Sequence, residues 1–228
     1  MIKAIWAADR KPGLSDEEFY TWWHDTHGLK EFGRTSVRRY VQHHTLAAAR
    51  GGEYGLTPTR DGASMGWYDD FDQMQASYAS TDASGWSPSC FEPEMDVVIA
   101  SERAVVDRPA SPGMVKLIAI AHRHPSLSVE AFQRIWFEEH GPRWAKVPGI
   151  RRYVQNHALP KAYDVAYNPR RPERKLTHDG WSEEWFDDLD SLKRALASPE
   201  AGFAREHTAS LFARPISVVI AVESPIVG

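Results

Sequence analysis

Sliding the 228-residue chain against itself brings Met1 onto Met114, and the match runs without a gap to His44 and His157. Identical pairs include Lys3/Lys116, Arg10/Arg123, Phe19/Phe132, Trp23/Trp136, His27/His140 and Gly28/Gly141. The run Arg38-Arg39-Tyr40-Val41-Gln42 returns intact as Arg151-Arg152-Tyr153-Val154-Gln155. Farther on, Asp61-Gly62 and Trp67 match Asp179-Gly180 and Trp185, and Val97-Val98-Ile99-Ala100 returns as Val218-Val219-Ile220-Ala221. A period of roughly a hundred residues is too long for a solenoid repeat. The chain therefore reads as two fused copies of one domain: residues 1–107, a linker at 108–113, and residues 114–228. The joint, Asp107-Arg108-Pro109-Ala110-Ser111-Pro112-Gly113, has linker chemistry, and its shortness forces the copies side by side.

Each copy opens with an apolar run suited to a strand, Ile2 to Ala8 or Val115 to Ala121, broken by a turn at 11–13 or 124–126. Ser15 with Glu18 forms a capping box, and Ser128 takes the same N-cap place. The helix that follows carries Phe19, Trp23 and His27, or Phe132, Trp136 and His140, at i, i+4, i+8 on one face. Gly28 and Gly141 are expected to stop it. A strand follows at 37–46 or 150–159, then a third around Met65 to Trp67 or Glu183 to Trp185. A second helix starts after Asp69-Asp70 or Asp187-Asp188, with acids suited to its first turn, and the Val-Val-Ile strand closes the copy. The order β-α-β-β-α-β is the ferredoxin-like arrangement of an α+β fold.

Composition excludes several partners. With 42% hydrophobic and 25% charged residues and a net charge of −4, the chain is globular and has no general attraction to nucleic acid or an anionic membrane. The basic stretch Arg170-Arg171-Pro172-Glu173-Arg174-Lys175 is short and mixed, and reads as a solvated loop. Cys90 stands alone, which fits a reducing cytoplasm and offers neither disulfide nor thiolate metal cluster. No apolar run is long enough for a signal core or a membrane span.

The chemistry-bearing residues lie where the copies agree. One face of the second strand presents Arg38, Tyr40, Gln42 and His44, and in the second copy Arg151, Tyr153, Gln155 and His157. Such a polar face is either a solvated cleft wall or a satisfied internal network, and the cleft is the favoured expectation. His27 and His140, near the helix ends, read either as general acid/base groups favoured in protonated form by the helix dipole or as caps packed on Trp23 and Trp136. Because the helix ends where the second strand begins, His140 is expected to meet Tyr153 as an acid/base couple, with Arg151 stabilising a developing enolate or phenolate. His27 and Tyr40 are their counterparts. His157 lies six residues beyond Arg151, roughly 20 Å along an extended strand, at the other end of the cleft.

Trp23, Trp67, Trp136 and Trp185 recur at matching positions and are most simply core residues. The unmatched Trp22, Trp86, Trp144 and Trp181 are freer to line a flat pocket. Substrate contacts are assigned to Trp23, Trp67, Trp136, Trp181 and Trp185 with His44, His157, Asn156 and Arg123. Metal binding is not expected: neither His24 with His27 nor His122 with His124 has a further ligand placed to complete a set. No phosphate loop, Ser-His-Asp order or dinucleotide fingerprint is present, and no cofactor is expected.

His140-Gly141-Pro142 followed by Val147-Pro148-Gly149-Ile150-Arg151-Arg152-Tyr153-Val154-Gln155-Asn156-His157 resembles the signature stretch of EthD-like proteins, a branch of the dimeric α/β-barrel superfamily. The resemblance covers both copies nearly end to end. It implies that the two ferredoxin-like sheets close into one barrel on a single chain, with homodimerisation an open possibility. In the first copy Leu29 replaces the proline and Thr35-Ser36 replaces Pro-Gly, so the second copy is expected to carry the principal site. The resemblance also implies an enzyme acting on small aromatic or polyketide-like compounds without an organic cofactor. His/Tyr acid–base chemistry of a lyase, isomerase or cyclase leads; cofactor-free oxygenation of an electron-rich phenol comes next. A haem- or hydrophobe-binding protein without turnover is the reading from another class.

Overall fold

The computed structural model describes residues 1–31, 36–80, 90–169, 172, 175–213 and 215–228. Thr35, Trp86 and most of the basic stretch at 170–175 lie outside the described residues. The first copy runs β1 (Ile2–Arg10), α1 (Asp16–Trp22) continuing as a π-helix (Trp23–Glu31), β2 (Arg39–Thr45), β3 (Gly62–Tyr68), α2 (Phe71–Ser80) and β4 (Phe91–Val106). The second runs β5 (Val115–Ala121), α3 (Val129–Ile135) with a π-helical turn (Trp136–His140), α4 (Gly141–Trp144) and β6 (Arg152–Ala158). Then come α5 (Lys161–Asp164), β7 (Gly180–Phe186), α6 (Leu189–Leu196), α7 (Pro199–Leu211) and β8 (Ser217–Val227). No described helix is long and apolar enough to cross a membrane.

The eight strands form one closed antiparallel barrel in the order β1-β3-β2-β8-β5-β7-β6-β4. Each copy contributes a four-stranded ferredoxin-like sheet, and two seams join them. β2 pairs with β8, with His43 opposite Glu223, and β4 pairs with β6, with Arg103 opposite Gln155. β4 and β8 can serve two neighbours because they are long: β4 follows β1 with its first part and β6 with its last. Closure leaves no free sheet edge in the ring. Since strands alternate around the ring and equivalent strands stand four places apart, the pseudo-twofold axis coincides with the barrel axis.

Strand alternation then creates two environments. Ile5, Val41, Met65, Val98, Ile118, Ile120, Trp181 and Val219 pack inside the barrel. The opposite faces pack beneath the helices. In the first half that outer layer holds Tyr40, Tyr68, Met74, Tyr78 and Ile99; in the second it holds Tyr153, Phe186, Leu192, Leu196 and Ile220.

The helix starts match expectation. Ser15 accepts from the Glu18 amide while Glu18 accepts from the Ser15 amide, and Ser128 caps α3 alone. The helix ends do not match. Gly28 and Gly141 do not stop their helices: each sits in helical backbone that runs on through a π-helical stretch. These glycines serve close approach instead, because a Cβ would lie 2.8 Å from the Gln42 amide nitrogen at Gly28 and 3.1 Å from that of Gln155 at Gly141. α7 (Pro199–Leu211) is an addition to the expected order, lying between the second helix and the last strand of its copy.

A second duplicated device seats the helices. The indole of Trp23 lies over Gly62 of β3 and that of Trp136 over Gly180 of β7, where a Cβ would meet ring carbon at 2.7 and 2.5 Å and a strand carbonyl at 2.6 and 2.5 Å. Backbone cannot yield as a flexible side chain can, so Gly180→Ala is expected to destabilise the protein by about 2–3 kcal/mol. Urea unfolding would measure this, and an unchanged midpoint would show that the indole is not seated as described.

Candidate active site

The layer between sheet and helices repeats one hydrogen-bonded motif in both halves. Gln42 Nε2 donates to the Trp23 carbonyl and Gln155 Nε2 to the Trp136 carbonyl, each at 2.9 Å. His44 Nε2 lies 3.0 Å from Gln42 Oε1, and His157 Nε2 lies 3.0 Å from Gln155 Oε1. An amide oxygen only accepts, so each imidazole donates from Nε2. His157 stacks on Trp136 and His44 on Tyr20, with ring centroids 4.7 and 4.4 Å apart. The polar strand face expected as a cleft wall is therefore an internal network, and its glutamines tie strand to π-helix. Burial holds both imidazoles neutral, His44 at about 4 and His157 at about 3.

His140 is 3% exposed and packs against Phe212 at 5.4 Å and Trp144 at 6.2 Å, with its Nδ1 3.4 Å from His207 Nδ1 on α7. Burial, then His207 and Arg143, push its pKa down to about 3. The expected protonated state is overturned because the helix does not end at His140: desolvation acts there without a terminal dipole to offset it. His27, half-buried, faces Phe91 at 5.3 Å, Trp22 at 6.2 Å and Tyr40 at 6.5 Å. Phe91 and Phe212 are counterparts, so each histidine keeps an aromatic wall.

Tyr153 is buried beside Gln155, whose Nε2 donates to its hydroxyl oxygen at 2.8 Å. Burial, then Glu184, raises its pKa, while Gln155 and Trp136 pull the other way. Its hydrogen-bonding neighbours in the layer are Gln155 and Trp136, the latter on the helical stretch that ends at His140. Tyr40 is equally buried in the first half's aromatic cluster. Arg151 does not turn into the layer. It makes an exposed ion pair with Asp187 (Nε to Oδ1 2.9 Å), matched by Arg38 with Asp69 at 3.1 Å. A guanidinium this close to the strand start reaches solvent and the opposing strand's acid more cheaply than a buried layer.

The remaining assigned residues divide by strand face. Trp23, Trp136, His44 and His157 belong to the helix–sheet layer. Trp67, Trp181, Trp185 and Asn156 point into the barrel, away from Tyr153 and His140, because they occupy alternate strand positions. Arg123 anchors the start of the connection after β5: its amide donates to Asp179 at 2.9 Å and its guanidinium also pairs with Asp179. Among the described residues no three His, Cys, Asp or Glu side chains gather as a metal set. A porphyrin does not fit the layer as packed: His140 is enclosed by Phe212, Trp144 and His207, and His157 by Trp136 and Phe137.

Sequence reasoning missed Glu184. It lies on β7 opposite Tyr153, 4% exposed, with Oε2 lacking any hydrogen-bond partner. Burial first, helped by neighbouring Glu183 and resisted by Ser182, raises its pKa to about 8, so it is a neutral acid at pH 7. The first half has Gly66 there, and Tyr68 and Trp6 occupy the space beside it. The available signal was the adjacent pair Glu183-Glu184 in a tryptophan-rich strand where the first copy reads Met65-Gly66.

The EthD-domain family model matches residues 11–88 and 124–208. The chain belongs to the EthD family. The barrel is also similar to solved structures at low identity, which shows a shared fold. An anthrone oxidase-like protein superposes with a TM-score of 0.68 at 10% identity, over 98% of this chain and 90% of its own. A candidate monooxygenase from Fusobacterium nucleatum gives 0.57 at 10%, over 99% and 93%. A candidate chlorite dismutase gives 0.55 at 10%, over 98% and 94%. No curated protein matches this EthD chain significantly in sequence.

The raised pKa of Glu184 has a testable sign. Unfolded glutamate ionises near 4.5 while the folded group keeps its proton to about 8. The native state then binds more protons across that window, and this residue's contribution to stability falls as pH rises through it. Glu184→Gln removes the fall, at most about 1.4 kcal/mol per pH unit. Unfolding at pH 5 and pH 8 is expected to show the variant gaining on wild type at the higher pH; a constant difference would place an ionised carboxylate there.

Proposed function

We propose that the helix–sheet layer of the second half is the active site of a cofactor-independent acid–base enzyme acting on a small aromatic or polyketide-like carbonyl compound. The observation that carries this reading is the facing pair Glu184 and Tyr153, two buried neutral proton donors on adjacent strands, in the half that alone keeps His-Gly-Pro and Val-Pro-Gly. Because Gln155 donates to the Tyr153 oxygen, the phenol's own proton is left to face another acceptor. A carboxylic acid kept protonated at neutral pH, next to a phenol, suits hydrogen bonding to an enolate oxygen as charge develops there. Neutral His140, with an imidazole nitrogen able to accept a proton, is the general base of this reading, and His207 lies against it at the partly exposed end. Trp136 and Phe212, in edge-to-face contact at 5.5 Å, give the layer an aromatic lining.

Cofactor-free oxygenation of an electron-rich phenol is the second reading. It draws support from the fold shared with the anthrone oxidase-like protein and the candidate monooxygenase. The same donors would serve it by managing the phenolic proton.

The two readings separate in one experiment. A panel of aryl β-diketones and anthrones is incubated with the protein in D2O, with and without oxygen, and followed by NMR and an oxygen electrode. Carbon-bound deuterium appearing without oxygen, slowed a hundredfold or more by Glu184→Gln and by Tyr153→Phe, is the expected result. Oxygen uptake lost in the same variants would favour the second reading. Turnover of any panel member that survives both substitutions would move the site elsewhere.

A further inference from the structure

Behind His140 stands a second imidazole that the acid–base reading leaves without a task. His207, half-buried on α7, places its Nδ1 3.4 Å from the Nδ1 of His140, and the ring centroids are 5.5 Å apart. That separation is close to the nitrogen gap plus one ring radius at each end. The two nitrogens therefore point at one another along the line of ring centres. Contacts of this kind are often long in an unliganded site and tighten in the reacting complex.

A neutral imidazole carries one proton and one lone pair, so in an Nδ1-to-Nδ1 contact one ring donates and the other accepts. The donor ring then has a bare Nε2, and the acceptor ring has an Nε2–H. The pair has two arrangements, which differ in the ring that donates. A proton gained at one Nε2 and another lost from the other Nε2 convert the first into the second.

The two rings differ in setting. His140 is 3% exposed behind Phe212 and Trp144, and burial is the chief cause that disfavours its cation. The charged groups facing the pair are Arg143 from α4 and Glu139 from the π-helical turn. Arg143 opposes a cation on either ring, whereas Glu139 favours one on His207. The Arg143 guanidinium packs on α7, 4.6 Å from the ring centroid of Phe203. A cation shared by the pair thus rests at lower cost on His207, which water reaches. Five residues before Phe212 the second copy has His207, whereas five before the counterpart Phe91 the first copy has Trp86. The second imidazole is therefore a feature of the copy that carries Glu184.

We propose that His207 is a proton relay for His140, keeping its basic nitrogen bare before reaction and carrying the positive charge during it. The proposal rests on His140 being the general base. In the resting pair His140 donates its Nδ1–H to His207, and its Nε2 keeps a lone pair. When Nε2 takes the proton from the carbon next to the substrate carbonyl, the C–H electron pair passes into the enolate. The His140 Nδ1–H bond breaks as the His207 Nδ1–H bond forms, so His140 stays neutral and His207 becomes the imidazolium. Protonation of the product by His140 Nε2–H reverses both transfers. His207 acts through His140 and does not itself touch substrate.

Side-chain 15N NMR of the full chain, without substrate, tests the pair, and turnover tests its use. As the pH is lowered from 8 towards 5, protonation of His207 is expected to move the His140 proton in step from Nδ1 to Nε2, with His140 remaining neutral. His207→Ala is expected to abolish that tautomer change. With any panel compound that the wild type turns over, the same variant is expected to lose about tenfold or more in kcat with little change in KM, and added imidazole to restore most of the loss. A His140 that keeps one tautomer while His207 titrates overturns the relay, whatever the turnover. So does a wild-type kcat in His207→Ala, or a loss that free imidazole does not restore. If no panel compound is turned over, the acid–base reading falls while the titration still decides the pair.

Discussion

Two seams of backbone hydrogen bonds, β2 to β8 and β4 to β6, turn a pair of open ferredoxin-like sheets into a ring. Everything else in the molecule depends on that closure. It decides which face of every strand sees the barrel axis and which sees the helices, and strand alternation carries the decision to each side chain. On β6, Arg152, Val154 and Asn156 go to the axis while Tyr153, Gln155 and His157 go under the helices. A one-residue slip at either seam would exchange the two sets, placing the Gln–His motif inside the barrel and the charges beneath an aromatic helix.

The two environments then tolerate divergence differently. In the helix–sheet layer the Gln–Trp carbonyl–His motif is the same in both halves, since it anchors the π-helical stretch on which Trp23 and Trp136 sit. Stretches of π-helix are favoured where a helix must present groups out of its ordinary phase. Around that fixed frame the filling has changed: Trp6, Gly66, Tyr68 and Tyr78 in the first half stand where Ala119, Glu184, Phe186 and Leu196 stand in the second. The first half holds a phenol-rich packing layer, and the second holds a buried acid beside Tyr153. A carboxyl in apolar surroundings keeps its proton rather than carry a charge there, and this converts a packing position into a proton donor.

How much of this was legible in the sequence follows from what a single chain can encode locally. The duplication, the β-α-β-β-α-β order, Ser15 and Ser128 as caps and the EthD resemblance all rest on residues near one another or on self-similarity, and the fold agrees with them. Which face of β2 and β6 lies inside was not legible, because both faces are polar and both are buried, so a period of two does not choose between them. Gly28 and Gly141 read as helix stops by local rules, but their real constraint is a glutamine on a distant strand. Arg151 looked like a site residue through its repeated neighbours, yet its partner Asp187 arrives from the next strand. Glu184 went unseen because its protonation depends on burial that only the folded layer supplies.

The account centres on a carboxylic acid held neutral beside Tyr153, and infrared spectroscopy observes that proton directly. The difference spectrum between wild type and Glu184→Gln at pH 7 should contain a protonated-acid carbonyl band that shifts in D2O and gives way to carboxylate bands above about pH 9, past the pKa of about 8. A difference spectrum that shows only carboxylate at pH 7 would mean that Glu184 is ionised in the fold, and the acid–base site described for the second half would lose its donor.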